Sequence, residues 1–206
     1  MKRSFIRYFT FLVLIATIVT SCGPKEVETD PGLLSSSSKT WIPFEGSEKV
    51  KFACVDDTLT FEGTGKNTFF EKQRYMTDQS GFFNVQKDYY ADMERQELIF
   101  ESPSSKYFMR YYLEKSEAET GEWDMIHITL GDGDYYKNEI RKVVFETDDY
   151  PKAETFEFKT SIKLNGVNYS DIYYLKQERR PFELYYSRTL GVIAFKLSAN
   201  ELYTIQ

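Results

Sequence analysis

The side chains that most often perform acid–base, nucleophilic or metal chemistry are scarce in this sequence. Its 206 residues include one histidine, His127, and two cysteines, Cys22 and Cys54. A single histidine excludes every metal site or proton relay that needs two imidazoles. Because His127 stands between Ile126 and Ile128, we expect it on the face of a strand opposite the core, partly exposed, rather than as a general base.

The remaining candidates for catalysis form no recognisable motif. Cys54 alternates with Val50 and Phe52, a pattern that predicts a buried structural thiol rather than a nucleophile. The sequence has no nucleophile-elbow motif and no zinc-binding helix motif. A carboxylate pair of the glycosidase type stays open as an alternative, because 32 acidic residues offer many pairs and nothing selects one of them. We therefore predict no catalytic residue, no metal site and no cofactor.

Two glycine-containing stretches resemble ligand loops in part. Residues 63–68 have the sequence GTGKNT, but a phosphate-binding loop would need glycine in place of Thr60 and serine or threonine in place of Asn67. We predict a hairpin turn there. Asp132 and Asp134 suggest a calcium loop, but the EF-hand spacing would place Tyr136 at a ligand position. An isolated calcium site at the two aspartates stays an alternative.

Aromatic residues are the most prominent candidates for binding. The 17 Phe, 16 Tyr and 2 Trp make up 17% of the chain, and the tyrosines form five doublets. Adjacent residues of a strand point to opposite faces, so each doublet would place one ring in the core and one on the other face. The second rings would either stabilise an amphipathic sheet or form a platform that stacks on sugars or encloses an apolar ligand. On the latter interpretation the candidate binding residues are Tyr112, Tyr136, Tyr174 and Tyr186.

The elements that would position these residues are short strands. From Trp41 onward apolar residues alternate with a period of two, and turn residues separate the runs. We predict an all-β or mainly β fold, an antiparallel meander of about ten strands that forms a curved sheet, a barrel-like domain or a sandwich. Residues 86–97 and 134–142 are charged enough for a short helix each.

The clearest local prediction is a hairpin around Asn165-Gly166. Both residues tolerate the positive φ angles of a type I′ turn, and a two-residue loop fixes the register of the two strands. Most of the resulting opposite pairs are apolar or aromatic, which agrees with the turn chemistry. The predicted pairs are Leu164 with Val167, Ile162 with Tyr169, Thr160 with Asp171, Phe158 with Tyr173, and Phe156 with Leu175.

The N-terminus has the pattern of a targeting segment. Three basic residues lie between positions 2 and 7, and a short apolar run follows at residues 9–19. The segment that ends this run resembles the lipobox of bacterial lipoproteins: Val19-Thr20-Ser21-Cys22-Gly23. The resemblance implies cleavage before Cys22 and attachment of two or three acyl chains to it, which would anchor the chain stably in a membrane. An ordinary cleaved signal peptide is the alternative.

The resemblance, the Pro- and Ser-rich composition of the residues after Cys22 and the alternation from Trp41 onward together predict a three-part organisation. Residues 1–21 would be the lipoprotein signal peptide, 22–40 the lipidated cysteine and a flexible tether, and 41–206 a single β-rich domain. The whole is similar to small envelope lipoproteins of the Bacteroidota type. Gly23 after the cysteine implies the outer membrane, on either the periplasmic or the cell-surface side. A strand-turn-strand ending at 184–195 is also similar to proteins of this kind.

Charge limits the class of partner. The net charge is −6, and it becomes −9 once the three basic residues of the signal are removed, which argues against nucleic acid. We expect a non-catalytic envelope lipoprotein whose β domain binds a glycan or an envelope protein, with oligomeric state undetermined. The alternatives are a carboxylate-based hydrolase acting on glycans and a structural or assembly component of an outer-membrane complex.

Overall fold

The computed structural model describes residues 25–78, 86–118, 121–133, 139–146, 156–177, 182–196 and 201–206. These ranges form twelve strands and one short helix, α1 (Ser36–Lys39). The strands are β1 (Lys25–Glu28), β2 (Lys49–Ala53), β3 (Thr58–Asp78), β4 (Lys87–Glu101), β5 (Tyr107–Ala118), β6 (Gly121–Asp132), β7 (Glu139–Glu146), β8 (Phe156–Leu164), β9 (Val167–Gln177), β10 (Phe182–Ser187), β11 (Gly191–Lys196) and β12 (Leu202–Ile205).

The predicted antiparallel, mainly β fold is confirmed. Eleven strands form one sheet in the order β7-β6-β5-β4-β3-β2-β12-β11-β10-β9-β8, and β1 pairs with β4 off this path. The chain therefore builds two meanders, β2 to β7 and β8 to β12, and joins them where β12 pairs with β2. In the described part of the chain the sheet is not closed into a barrel, since its ends are β7 and β8.

The sheet curves strongly around its core. The backbone N–H of Val192 on β11 donates a hydrogen bond to the Tyr111 hydroxyl on β5, over 3.0 Å. These strands are five positions apart in the sheet, which in a flat sheet would separate them by about 24 Å. They can meet only because the sheet bends until β5 and β11 face each other. Burial raises the pKa of Tyr111, so its hydroxyl stays protonated and also donates to the Met109 sulfur.

Alternation along the strands supplies the core. Every second residue of a strand points inward, and these inward side chains pack together across neighbouring strands. They contact the inward phenylalanine rings of β2, β3 and β11. The core residues of two central strands are Met109, Tyr111 and Leu113 on β5 and Ile126, Ile128 and Leu130 on β6. This period-two pattern is the one that predicted strands.

The hairpin prediction is confirmed in turn and register. Asn165 and Gly166 have φ angles of 46° and 89°, as a type I′ turn requires. Four of the five predicted pairs form, including Phe158 with Tyr173. The pair of Thr160 with Asp171 does not form, and Asp171 has a φ of 55° there.

Three local predictions are wrong for the residues that the structure describes. Residues 86–97 do not form a helix but lie in β4, apart from Gln86. They pair with β3 on one side and, on the other, first with β1 and from Arg95 with β5, and this pairing outweighs their charged composition. Of the second predicted helix, residues from Glu139 onward belong to β7, and 134–138 lie outside the described residues. The hairpin turn predicted at 63–68 is instead a bulge inside β3, where the register shifts between Gly63 and Lys66.

The flexible tether predicted for 22–40 is wrong for residues 25–40, and residues 22–24 lie outside the described ranges. Strand β1 runs parallel to the first residues of β4, and Gly32 bridges to Met93. Residues 32–45, which we call the strap, then cross the inward face of the sheet. Leu34 is 5% exposed within the core cluster.

Buried acids of the sheet hold the strap. The Leu34 N–H donates to Glu94 over 3.0 Å, and the Ser35 N–H donates to Asp124 over 2.9 Å. Lys39 forms an ion pair with Glu94 at 2.6 Å. Because these acids lie far away in sequence, the polar composition of residues 35–40 gave no sign that the segment is folded.

Candidate ligand-binding groove

The tyrosines predicted to bind a ligand do not form one surface. Tyr136 and the proposed lipid site Cys22 lie outside the described residues. Tyr186 is 0% exposed, stacks on Trp41 with 5.9 Å between ring centroids, and donates its hydroxyl to the Trp41 carbonyl. It has no surface for a ligand, so that prediction is wrong for Tyr186. Tyr174 is half-buried beside Tyr185, 4.8 Å away, in a second apolar cluster.

Tyr112 belongs to a polar network on the face of the sheet opposite the core. The Arg110 guanidinium lies 4.6 Å from its ring centre, and the His127 ring contacts it edge-on at 5.9 Å. His127 Nε2 is 2.7 Å from Glu114, whose carboxylate also binds Arg95. Burial raises the pKa of Tyr112. His127 therefore lies where alternation predicted, in an ion-pair network that orders this face.

A broad groove lies elsewhere, between the strap and the β8–β9 hairpin. Its volume is about 990 Å³, at the upper end of the range for small-molecule sites. One side consists of Lys66 and five strap residues, and the other of residues from β8, β9, the end of β10 and the β10–β11 turn. The five strap residues are Lys39, Thr40, Ile42, Pro43 and Glu45. The groove thus combines segments that are more than 100 residues apart in the sequence.

An aromatic wall forms one side of the groove. The Phe158 ring, 53% exposed, meets Tyr173 edge-on with 5.4 Å between centroids. Tyr173 in turn contacts the buried Trp41 of the strap at 5.1 Å. The Asn-Gly turn creates this wall, because its register places Phe158 opposite Tyr173. The doublet pattern predicted Tyr174 as a binding residue, but the ring that faces the groove is that of its neighbour Tyr173.

Three basic residues line the groove, and they differ in how their charges are balanced. Lys39 is paired with Glu94. Lys66 Nζ donates to the carbonyls of Ile42, 3.3 Å, and Phe44, 2.9 Å. Within the described ranges no carboxylate lies within 4 Å of Lys66.

Arg188 is the third basic residue. It donates to the Ser37 carbonyl over 3.4 Å and to the Thr40 hydroxyl over 3.1 Å. Its guanidinium lies 4.7 Å from the Trp41 ring centre. Among the residues that the structure describes, it too has no carboxylate partner. Arg188 and Lys66 therefore bring two positive charges to the groove that only neutral acceptors contact.

The bulge in β3 positions Lys66. Gly65 adopts a φ of 115°, and its N–H donates to the carbonyl of Gly46 over 2.9 Å. A Cβ atom at Gly46 would collide with the backbone of Lys66, so this approach depends on glycine. A bulge redirects the side chains around it, and here Lys66 reaches the strap. The glycine-containing stretch at 63–68 thus has a structural role that its motif did not predict.

Two carboxylates, Glu45 and Asp171, line the same groove, and both are exposed. A glycosidase general acid needs an environment that raises its pKa, most often burial. The Asp132 side chain and Asp134 lie outside the described residues. Cys54, predicted to be a buried structural thiol, is partly buried and packs against the core.

Comparison with protein-family models, with curated proteins and with solved structures gave no match. Within the described ranges, no helix is long and apolar enough to cross a membrane. The same residues contain no group of three or more histidine, cysteine, aspartate or glutamate side chains that could hold a metal ion. The groove is accordingly the candidate site that the geometry supports best.

Proposed function

We propose that this chain is a non-catalytic envelope protein that binds a glycan in the groove between the strap and the β8–β9 hairpin. The observation that supports this most directly is the aromatic wall of exposed Phe158 and half-buried Tyr173, opposite strap residues that include Thr40 and Glu45. Sugar rings bury their C–H faces against aromatic rings, while their hydroxyls bond to polar side chains. Ser170 and Thr189 supply such hydroxyl partners around the groove, and the buried Ser187 hydroxyl lies 3.1 Å from that of Thr189.

The solvent exposure of the two acidic residues in the groove favours binding over the hydrolase alternative. Glu45 and Asp171 are exposed to solvent, whereas hydrolysis of a glycosidic bond needs one carboxylic acid kept protonated near neutral pH. Incubation of the protein with each bound glycan, followed by analysis for shortened products, separates the two functions. Product formation that depends on Glu45 or Asp171 would favour hydrolysis.

Phe158 tests the glycan proposal. We expect Phe158→Ala to raise the Kd for the glycan about fivefold or more, because a stacked ring contributes about 1 kcal/mol. The free energy of unfolding should fall by no more than about 1 kcal/mol, since the ring is about half exposed and loses only its cross-strand contact with Tyr173. Titration calorimetry with oligogalacturonate, oligomannuronate, hyaluronan oligosaccharides and their carboxyl-reduced forms measures the effect.

The control is Phe70→Ala on β3. Phe70 and Phe158 are both 53% exposed, but Phe70 does not line the groove. The Phe70 variant should bind like the unmodified protein. Failure of the unmodified protein to bind any member of the panel would contradict the proposed function.

We also propose that Cys22 is lipidated and holds the protein at the outer membrane, on the basis of the lipobox resemblance. Strand β1 begins at Lys25, so the intervening residues 22–24 can span at most about 10 Å. The folded domain would then lie directly at the lipid headgroups rather than at the end of a long tether.

Replacing the proposed acylated residue tests the anchor. Cys22→Ala should abolish incorporation of labelled palmitate and move the protein from the membrane fraction to the supernatant. The other cysteine provides the control, and Cys54→Ala should remain labelled and in the membrane fraction. Equal labelling of the Cys22 variant would contradict the proposal.

A further inference from the structure

We infer that the groove selects glycans that carry a carboxylate, and that Lys66 and Arg188 recognise this group. The inference rests on the proposed glycan binding and adds the chemical class of the ligand. It begins from the different hydrogen-bond and ion-pair partners of the three basic residues in the groove. Lys39 already has a carboxylate partner, whereas Lys66 and Arg188 bond to neutral oxygens.

Lys66 retains capacity for another partner. Its ammonium group has three N–H donors, and two of them bond to strap carbonyls. These carbonyls fix the position of the side chain but leave its full positive charge in place. The charge is partly buried at the lining of the groove, where screening by solvent is weaker than on an open surface.

Arg188 has the geometry that suits a carboxylate. Its guanidinium lies over the Trp41 ring, and its bonds to the strap use one terminal nitrogen, Nη2. A guanidinium has five N–H donors in one plane, so others remain for a pair of parallel bonds to two carboxylate oxygens. Contact with the indole face restricts the side chain before a ligand arrives, which lowers the entropic cost of binding.

The rest of the protein makes this site selective. The chain has a net charge of −6, so an acidic saccharide is repelled by most of the surface. Within the groove, Glu45 and Asp171 oppose an anion too. An acidic glycan should therefore place its carboxylate near Lys66 and Arg188 and its neutral hydroxyls near the two acids, where carboxylates accept hydrogen bonds.

Matched pairs of acidic and carboxyl-reduced oligosaccharides test the inference. For the sugar backbone that binds, we expect the uronate form to bind about tenfold more tightly than its reduced form. The difference should shrink as NaCl rises from 0.05 to 0.5 M, because salt screens charge pairs. Arg188→Gln and Lys66→Gln should each reduce the preference, whereas Asp171→Asn should increase affinity for the uronate form.

The controls separate charge recognition from support of the strap. Arg188→Lys keeps the charge and should keep most of the preference. Lys51→Gln removes an exposed charge outside the groove and should change nothing. Equal binding of both members of a pair would overturn the inference and leave glycan binding intact. An equal loss of both forms in Arg188→Gln would also overturn it, since that result indicates a purely structural role. Binding of no member would overturn glycan binding itself.

Discussion

Trp41→Ala is expected to lower the free energy of unfolding by about 3–5 kcal/mol. Trp41 is 3% exposed and lies parallel to the Tyr186 ring, with an interplanar angle of 5°. Its loss would leave a cavity between the strap and β10, and rings packed this closely contribute beyond their buried area. The result would show that the strap belongs to the cooperative core.

Urea denaturation followed by far-UV circular dichroism measures this change without relying on tryptophan emission. Val55→Ala is the control, because Val55 is 95% exposed and should shift stability by less than about 0.5 kcal/mol. A loss below about 1 kcal/mol for Trp41→Ala would contradict the packing described.

The same substitution should also weaken glycan binding, because Trp41 supports both sides of the groove. It contacts Tyr173 of the aromatic wall and lies beneath the Arg188 guanidinium. Comparison with Phe158→Ala then distinguishes loss of support from loss of a contact. Trp41→Ala should lower stability and affinity together, whereas Phe158→Ala should lower affinity with little loss of stability.

Local sequence rules predicted the parts of the fold that depend on neighbouring residues. The period-two alternation of Ile126 and Ile128 predicted an inward face, and Asn165-Gly166 predicted both a turn and a register. That register already contained the pair of Phe158 with Tyr173, so the aromatic wall was present in the sequence as a cross-strand pair. Its role at a groove could not be recognised, because the opposite wall comes from the strap.

Features that depend on distant partners could not be predicted. Residues 86–97 are rich in charge, but pairing with strands on both sides outweighs helix propensity, and Arg95 and Glu94 find partners on opposite faces of the sheet. The doublet pattern predicts Tyr186 as an outward ring. Both members of that doublet are buried, Tyr186 in the main core and Tyr185 in the second apolar cluster.

Adjacent leucines at the start of the strap test whether residues 25–40 are folded, as the structure shows, or form the flexible tether that the sequence predicted. Leu34 is 5% exposed, whereas Leu33 is 59% exposed. We expect Leu34→Ala to lower the free energy of unfolding by about 2–4 kcal/mol, and Leu33→Ala to change it by less than about 0.5 kcal/mol. Urea denaturation of the two variants side by side measures the difference.

The two variants make the same leucine-to-alanine change, so they distinguish a flexible tether at residues 25–40 from a folded segment. In a flexible tether both side chains would be solvated before and after unfolding, so both variants would match the unmodified protein. In the folded strap, Leu34 fills space within the core while its N–H bonds to Glu94. Alanine keeps that backbone bond, so the measured loss reports apolar packing alone. Equal stability of the two variants would restore the tether and remove the strap side of the groove from the ligand site.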